Sequence, residues 1–253
     1  MRMLGQTGNL GVVRSTFPLL TSIATKIPLP YFSKAVGYSR TLTKYAGESL
    51  GRYKKVVEAT PELAQQTLFT NLLKAKEDDR LTFEEMRNEA EVYIIGGSDT
   101  TTITLTYLVW SVCRHPLVRS VLLKELELLS DDFDEQDLKD LPYLNQVISE
   151  TLRLYPAVPS GLPRLVPPGG AELCGYALNE GVSVGAQAYS MHRDPEIYPD
   201  PHAFNPSRWA SPTRAMKDAF MPFGKGARGM SCRQKQTVID HKLTFNQCVS
   251  GCT

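Results

Sequence analysis

Residues 82–116 read TFEEMRNEAEVYIIGGSDTTTITLTYLVWSVCRHP, and the fold turns on this stretch. Thr82 and Glu85 stand three apart before an apolar run, the pattern of a capping box. Helical spacing then continues to Arg114, where His115-Pro116 ends it. That predicts a helix of more than thirty residues, long for a globular protein. Gly96-Gly97 lies in its middle, where each glycine costs ~1 kcal/mol against alanine. A helix that gives up so much locally is expected to need an approachable backbone there, or to be kinked. Asp99-Thr100 follows directly. An acid and a hydroxyl beside exposed backbone can relay protons or bind a small polar ligand; the dipeptide alone reads first as a solvated acid and a packing threonine. The uncharged run after Asp99 is 14 residues, short of the ~20 that span a bilayer, so a buried core helix is expected.

Outward from this helix, the first half of the chain reads as helical. Lys34 to Glu58 has apolar residues at helical spacing, and Thr60-Pro61 is expected to cap and open a helix to about Glu77. Pro116 starts a helix to about Leu129, Asp131 to Lys139 reads as an acidic loop, and Pro142 starts a helix that stops at Tyr155-Pro156. The texture then changes. Short strands joined by Gly and Pro turns are expected over 164–185, with a short helix or turn from Ala186 to Met191. Asp194 to Pro212 holds five prolines and reads as an irregular segment anchored by Phe204 and Trp209.

Composition sets the limits. The 253 residues are 42% hydrophobic and 22% charged, which excludes collagen-like, disordered and coiled-coil classes. A net charge of +1 argues against a nucleic-acid binder that relies on a global positive field. The four histidines are scattered without metal-ligand spacing on one helix face. Three of the five cysteines (Cys232, Cys248, Cys252) crowd the C-terminal end, in no disulfide framework. Residues 1–10 lack the apolar core of a signal peptide. The apolar, proline-containing stretch Phe17 to Phe32 reads equally as a membrane-brushing segment or an interhelical loop.

Three further constellations follow the long helix. Glu150 and Arg153 share one helix face, flanked by Val147, Ile148, Leu152 and Leu154, so partial burial is expected. Buried, the pair would need further partners. Phe204-Asn-Pro-Ser-Arg208-Trp209 sets an arginine between a proline and an aromatic. Pro222 to Gly229 is a glycine-rich loop with two cations, able to cradle an anion but without P-loop spacing. In this order and spacing, these motifs resemble the haem-thiolate monooxygenases of the cytochrome P-450 superfamily. The Gly96-Gly-Ser-Asp-Thr-Thr101 texture is similar to fungal members.

The resemblance implies a mainly α fold with a small β-sheet, the C-terminal portion of the cytochrome P-450 fold truncated at both ends. It implies a partial domain over 1–229, helical to about 156, β-rich over 164–185 and loop-rich over 186–229. It implies haem b as cofactor, a NADPH-cytochrome reductase as electron donor and a lipophilic small-molecule substrate. A full-length parent is expected at the cytosolic face of the endoplasmic reticulum membrane. By resemblance Asp99 and Thr100 relay protons to iron-bound dioxygen, and Gly96 and Gly97 make room for it. Glu150 and Arg153 form a buried pair with Arg208 as third member. Arg164 and Arg228 fall where the haem propionates are held, and Phe223, Gly224 and Gly226 belong to the cofactor-binding loop. His192, in a family-typical His-Arg-Asp-Pro turn, reads as structural.

The departure begins at one residue. The iron-ligand position holds Met230 instead of cysteine, and the glycine expected two residues later is Cys232. The apolar helix that should follow is replaced by Arg233-Gln-Lys-Gln and a polar tail, so 230–253 reads as a disordered, non-family segment. So sharp a boundary resembles a reading-frame event such as a read-through intron. A neutral thioether cannot give the electron push of a thiolate, and Cys232 would reach the iron only if the loop bulged by two residues. The chain as written is therefore expected to be inactive as a monooxygenase, either a dead remnant or a mis-predicted gene product. A helical membrane or interaction protein is the remote alternative.

Overall fold

The computed structural model describes residues 30–60, 67–77, 81–130, 132–161 and 163–226. They form two compact units, with the boundary between Asp99 and Thr100.

In the first unit, α1 (Pro30–Ala59) and α2 (Leu68–Glu77) accompany the start of α3 (Phe83–Arg114). Ala46 and Leu50 of α1, Leu72 of α2, and Met86 and Ala90 of α3 make the core. Tyr53 and Phe69 meet edge to face beside it, and the Thr43 hydroxyl donates to Glu91. The capping box is present. Thr82 N–H donates to Glu85 Oε2 at 2.8 Å, and Glu85 N–H returns to Thr82 Oγ1 at 3.3 Å. α3 runs as one α-helix of 32 residues through Gly96-Gly97. The helix expected to open at Thr60-Pro61 would begin outside the described residues, and what is described of Thr60 points backwards. Its N–H and hydroxyl both donate to Val56 O, so it closes α1. Thr67, whose hydroxyl accepts from Phe69 N–H, precedes α2. Residues 61–66 and most of the Phe17–Phe32 stretch lie outside the described residues.

The second unit holds the rest of α3, then α4 (Pro116–Leu126), α5 (Glu135–Lys139) and α6 (Pro142–Leu154). Leu108 and Val112 of α3, Leu122 of α4, and Leu144 and Val147 of α6 share its core. α6 starts at a proline, and its N-cap residue Leu141 offers no side-chain bond. The missing acceptor comes from α4. Glu125 takes Tyr143 N–H at 2.7 Å and Leu144 N–H at 2.8 Å, placing a carboxylate on the positive end of the helix. α4 stops at Leu126, short of the expected Leu129. The acidic stretch expected as loop contains α5 because Asp134 and Asp137 form a reciprocal capping box.

The expected single small sheet is two antiparallel pairs. β1 (Arg164–Leu165) pairs with β4 (Ser183–Val184), and β2 (Ala171–Leu173) with β3 (Tyr176–Leu178). The β2–β3 turn uses Cys174 and Gly175, both left-handed, as a two-residue hairpin requires. After α7 (Ala188–Met191) the chain is irregular, but not throughout: Pro206–Trp209 is a 3-10 turn, and Arg214–Ala219 forms α8 behind the Thr213 cap.

Candidate functional site

α6 has an apolar face that packs into the core, and Glu150 and Arg153 lie on it, both with 0% exposure. Charges stripped of water require complete hydrogen bonding. They receive it. Arg153 Nε donates to Glu150 Oε2 at 2.8 Å and Nη2 to Oε1 at 2.8 Å, a bidentate pair. Its remaining N–H groups go to backbone carbonyls: Nη1 to His192 O and Pro201 O, both at 2.7 Å, and Nη2 to Ala203 O at 3.1 Å. Every donor of this guanidinium is therefore used.

Glu150 is equally saturated. Oε1 also accepts Asn205 N–H at 2.9 Å and Arg208 Nε at 3.1 Å, and Oε2 accepts Trp209 Nε1 at 2.9 Å. The 3-10 turn delivers these groups together, since a tight turn after Asn205 brings 208 and 209 back over 205. Arg208 completes its bonding on Pro199 O and Asp200 O; Asp200 sits at φ 50°, in the left-handed region. Two guanidiniums against one carboxylate leave a positive excess, which this ring of carbonyl oxygens offsets. The Tyr198 ring lies under Arg153 at 5.2 Å, and its hydroxyl donates to Met216 O. Burial pushes that phenol up to about 12.

His192 joins the network on two sides. It is fully buried, with Nδ1 3.0 Å from Arg153 O and Nε2 2.9 Å from Met221 N. A backbone N–H can only donate, so Nε2 is the unprotonated acceptor and Nδ1–H donates to Arg153 O. Burial, aided by the nearby guanidiniums of Arg153 and Arg193, holds the imidazole down to about 4.

Asp99 and Thr100 are half-buried neighbours on α3, and the Thr104 hydroxyl donates to Thr100 O. A Cβ at Gly96 or Gly97 would meet nothing within 4 Å, so the backbone flank there is open among the described residues. Arg164 stands on β1 opposite Val184 and donates to Pro163 O. Phe223 packs on the main core, and Gly224 and Gly226 have φ of 73° and 78°. Lys225 donates to Lys217 O and Asp218 O in the last turn of α8, so its charge sits at that helix end. Arg228, Met230 and Cys232 lie outside the described residues. Sequence reasoning missed Trp209 and Asn205 as partners of Glu150; the only signal was their place around Arg208.

The comparisons agree with this architecture. The cytochrome P450 family model matches residues 12–230. The chain is 47% identical over 229 residues to the cytochrome P450 monooxygenase tazI of Aspergillus terreus, covering 90% of this chain and 47% of that protein. It is 42% identical over 244 residues to the monooxygenase orf2 of Aspergillus niger, covering 96% and 49%. Among solved structures it resembles the retinoic acid-bound cyanobacterial CYP120A1, with a TM-score of 0.66 and 26% identity over 88% of this chain and 51% of that one. The chain thus spans about half the length of the curated relatives it matches. A buried Glu-Arg-Arg network in a mainly helical partial fold, a family model over most of the sequence and fungal relatives at this identity have one reading: the chain belongs to the cytochrome P450 family.

Proposed function

We propose that this chain carries the structural centre of a haem-dependent monooxygenase but, with Met230 in the ligand register, does not itself insert oxygen. The reaction of the whole protein would place one atom of dioxygen into a lipophilic small molecule, with electrons from a NADPH-dependent reductase. The relatives, both named cytochrome P450 monooxygenases, support the reaction class. The saturated Glu150–Arg153–Arg208 network is the observation that carries the reading. A buried charge cluster, fully hydrogen-bonded, is retained here at high cost in desolvation, as a scaffold and not as a surface ion pair.

Two features support this reading, each within its own unit: a Cβ at Gly96 or Gly97 would meet nothing within 4 Å among the described residues, and Gly224 and Gly226 both take left-handed backbone. On this reading Asp99 and Thr100 handle protons at the open flank, and Arg164 and Arg228 hold carboxylates. The donor set does not fit. Bound haem supplies oxygen activation, which in this family depends on a thiolate; the residue in register is a thioether. Cys232 is two residues out of place.

Among the described residues no helix is long and apolar enough to cross a membrane. The endoplasmic reticulum surface is proposed for the whole protein alone. The test is spectroscopic. The purified chain, offered haem and reduced under carbon monoxide, should lack the difference band of thiolate ligation. A stoichiometric thiolate-type band would overturn the proposed inactivity.

A further inference from the structure

The glycine-rich turn after α8 takes one of its backbone anchors from far back in the chain. Met221 O accepts Gly224 N–H at 3.1 Å, closing a turn, and Pro222 has no N–H to give. The N–H that opens this turn, that of Met221, finds its acceptor 29 residues earlier in the chain, on His192 Nε2. The other ring nitrogen of the same imidazole is bound to the backbone of Arg153, and Arg153 Nη1 donates to the backbone of His192. The Phe220 ring lies 5.5 Å from the imidazole and 4.6 Å from Trp209, which bonds Glu150. A continuous path of hydrogen bonds therefore runs from Glu150 through Arg153 and His192 to the first residue of the turn.

We propose that His192 is the positioning residue of the Met221–Gly226 turn: its neutral Nδ1–H imidazole hangs the turn from the buried Glu150–Arg153 pair. One face must donate and the other must accept, which a neutral imidazole of this tautomer does and an imidazolium does not. Protonation would set an N–H against the Met221 N–H and add a cation beside Arg153 from α6 and Arg193 from the end of α7; the Phe220–Met221 side brings no charge. The low pKa of the ring agrees with this arrangement. In the sequence the latched turn ends four residues ahead of Met230. The positioning role of His192 rests on the proposed function only for what the turn is used for, because the hydrogen bonds need no cofactor.

Two substitutions separate positioning from bulk stability. His192→Asn carries an amide at the reach of Nδ1, so it can still donate to Arg153 O but cannot reach Met221. His192→Gln carries its amide at the reach of Nε2 and can accept from Met221 N–H. Amide exchange of the full chain is read by mass spectrometry at neutral pH, without haem. The Met221–Gly226 peptide should exchange about tenfold faster in His192→Asn while α6 stays protected, and His192→Gln should bring it most of the way back. In the wild type, ring-nitrogen NMR should show protonated Nδ1 and bare Nε2, and protection of the turn amides, taken relative to the intrinsic exchange rate at each pH, should fall as the ring protonates near pH 4. Unchanged turn exchange in His192→Asn, failure of His192→Gln to restore it, equal loosening of α6 in both variants, or an Nε2–H tautomer would each overturn the proposal. Haem binding enters none of these readouts, so the monooxygenase reading stands or falls separately.

Discussion

Glu150→Gln is the most demanding perturbation of this fold. The substitution keeps the volume and removes the charge. Glu150 accepts from Arg153 twice, from Asn205 N–H, from Arg208 and from Trp209. An amide has one oxygen to offer. With that oxygen at the Oε1 position, its NH2 points at Arg153 Nε and Trp209 Nε1; flipped, it points at Arg153 Nη2, Asn205 N–H and Arg208 Nε. Either orientation sets donors against donors, at ~1–3 kcal/mol for each group left unsatisfied. It also leaves Arg153 buried with no counter-charge, and breaking one side of a buried pair costs ~3–5 kcal/mol. The terms overlap, so about 4 kcal/mol in total is expected. For a chain of this size that corresponds to a fall in melting temperature of roughly 10 °C. Urea unfolding of the full chain followed by far-UV circular dichroism measures it. Glu58→Gln is the control, since the Lys54–Glu58 pair is exposed and worth under ~1 kcal/mol. A loss for Glu150→Gln no larger than that of the control would refute the view that the network holds the fold.

Three further outcomes are expected. His192 is held to about 4 against an ordinary 6.5, so the unfolded chain binds more protons between those values. Stability should therefore be undiminished by this group above pH ~6.5 and fall on acidification to pH ~4, by on the order of 3 kcal/mol, a component that urea midpoints should show missing in His192→Gln. Glu125→Ala removes the carboxylate that caps α6 from α4 and should cost ~1–2 kcal/mol in the same assay. Gly170→Ala would put a Cβ 2.7 Å from Leu178 O at a φ of +80°, so amides of the β2–β3 hairpin should exchange faster while α6 stays protected.

Local signals in the sequence carried far. The Thr82–Glu85 box, the proline starts of α4 and α6 and the three-residue spacing of Glu150 and Arg153 are all contained in one helical turn, and each appears in the structure. One expectation failed where a local signal has two uses. Acidic residues read as solvated loop, yet Asp134 and Asp137 cap a helix. The site was legible only in part. Arg208 was expected beside Glu150 through the order of motifs, whereas Trp209 Nε1 and the His192 ring bond partners 59 and 39 residues away. No spacing rule reaches that far; the close approach exists only after α6 and the 3-10 turn have packed.

Carbon monoxide difference spectroscopy of the haem-supplemented chain bears most directly on the central claim, that a family scaffold is present without the family's iron ligand. Wild-type protein and Met230→Cys should be compared side by side. The account predicts no thiolate-type band in the wild type. It predicts no monooxygenase turnover in Met230→Cys either, because the polar Arg233-Gln-Lys-Gln sequence still stands where the family has an apolar helix. A thiolate-type band in the wild type, abolished by Cys232→Ser, would contradict it and make Cys232 the ligand.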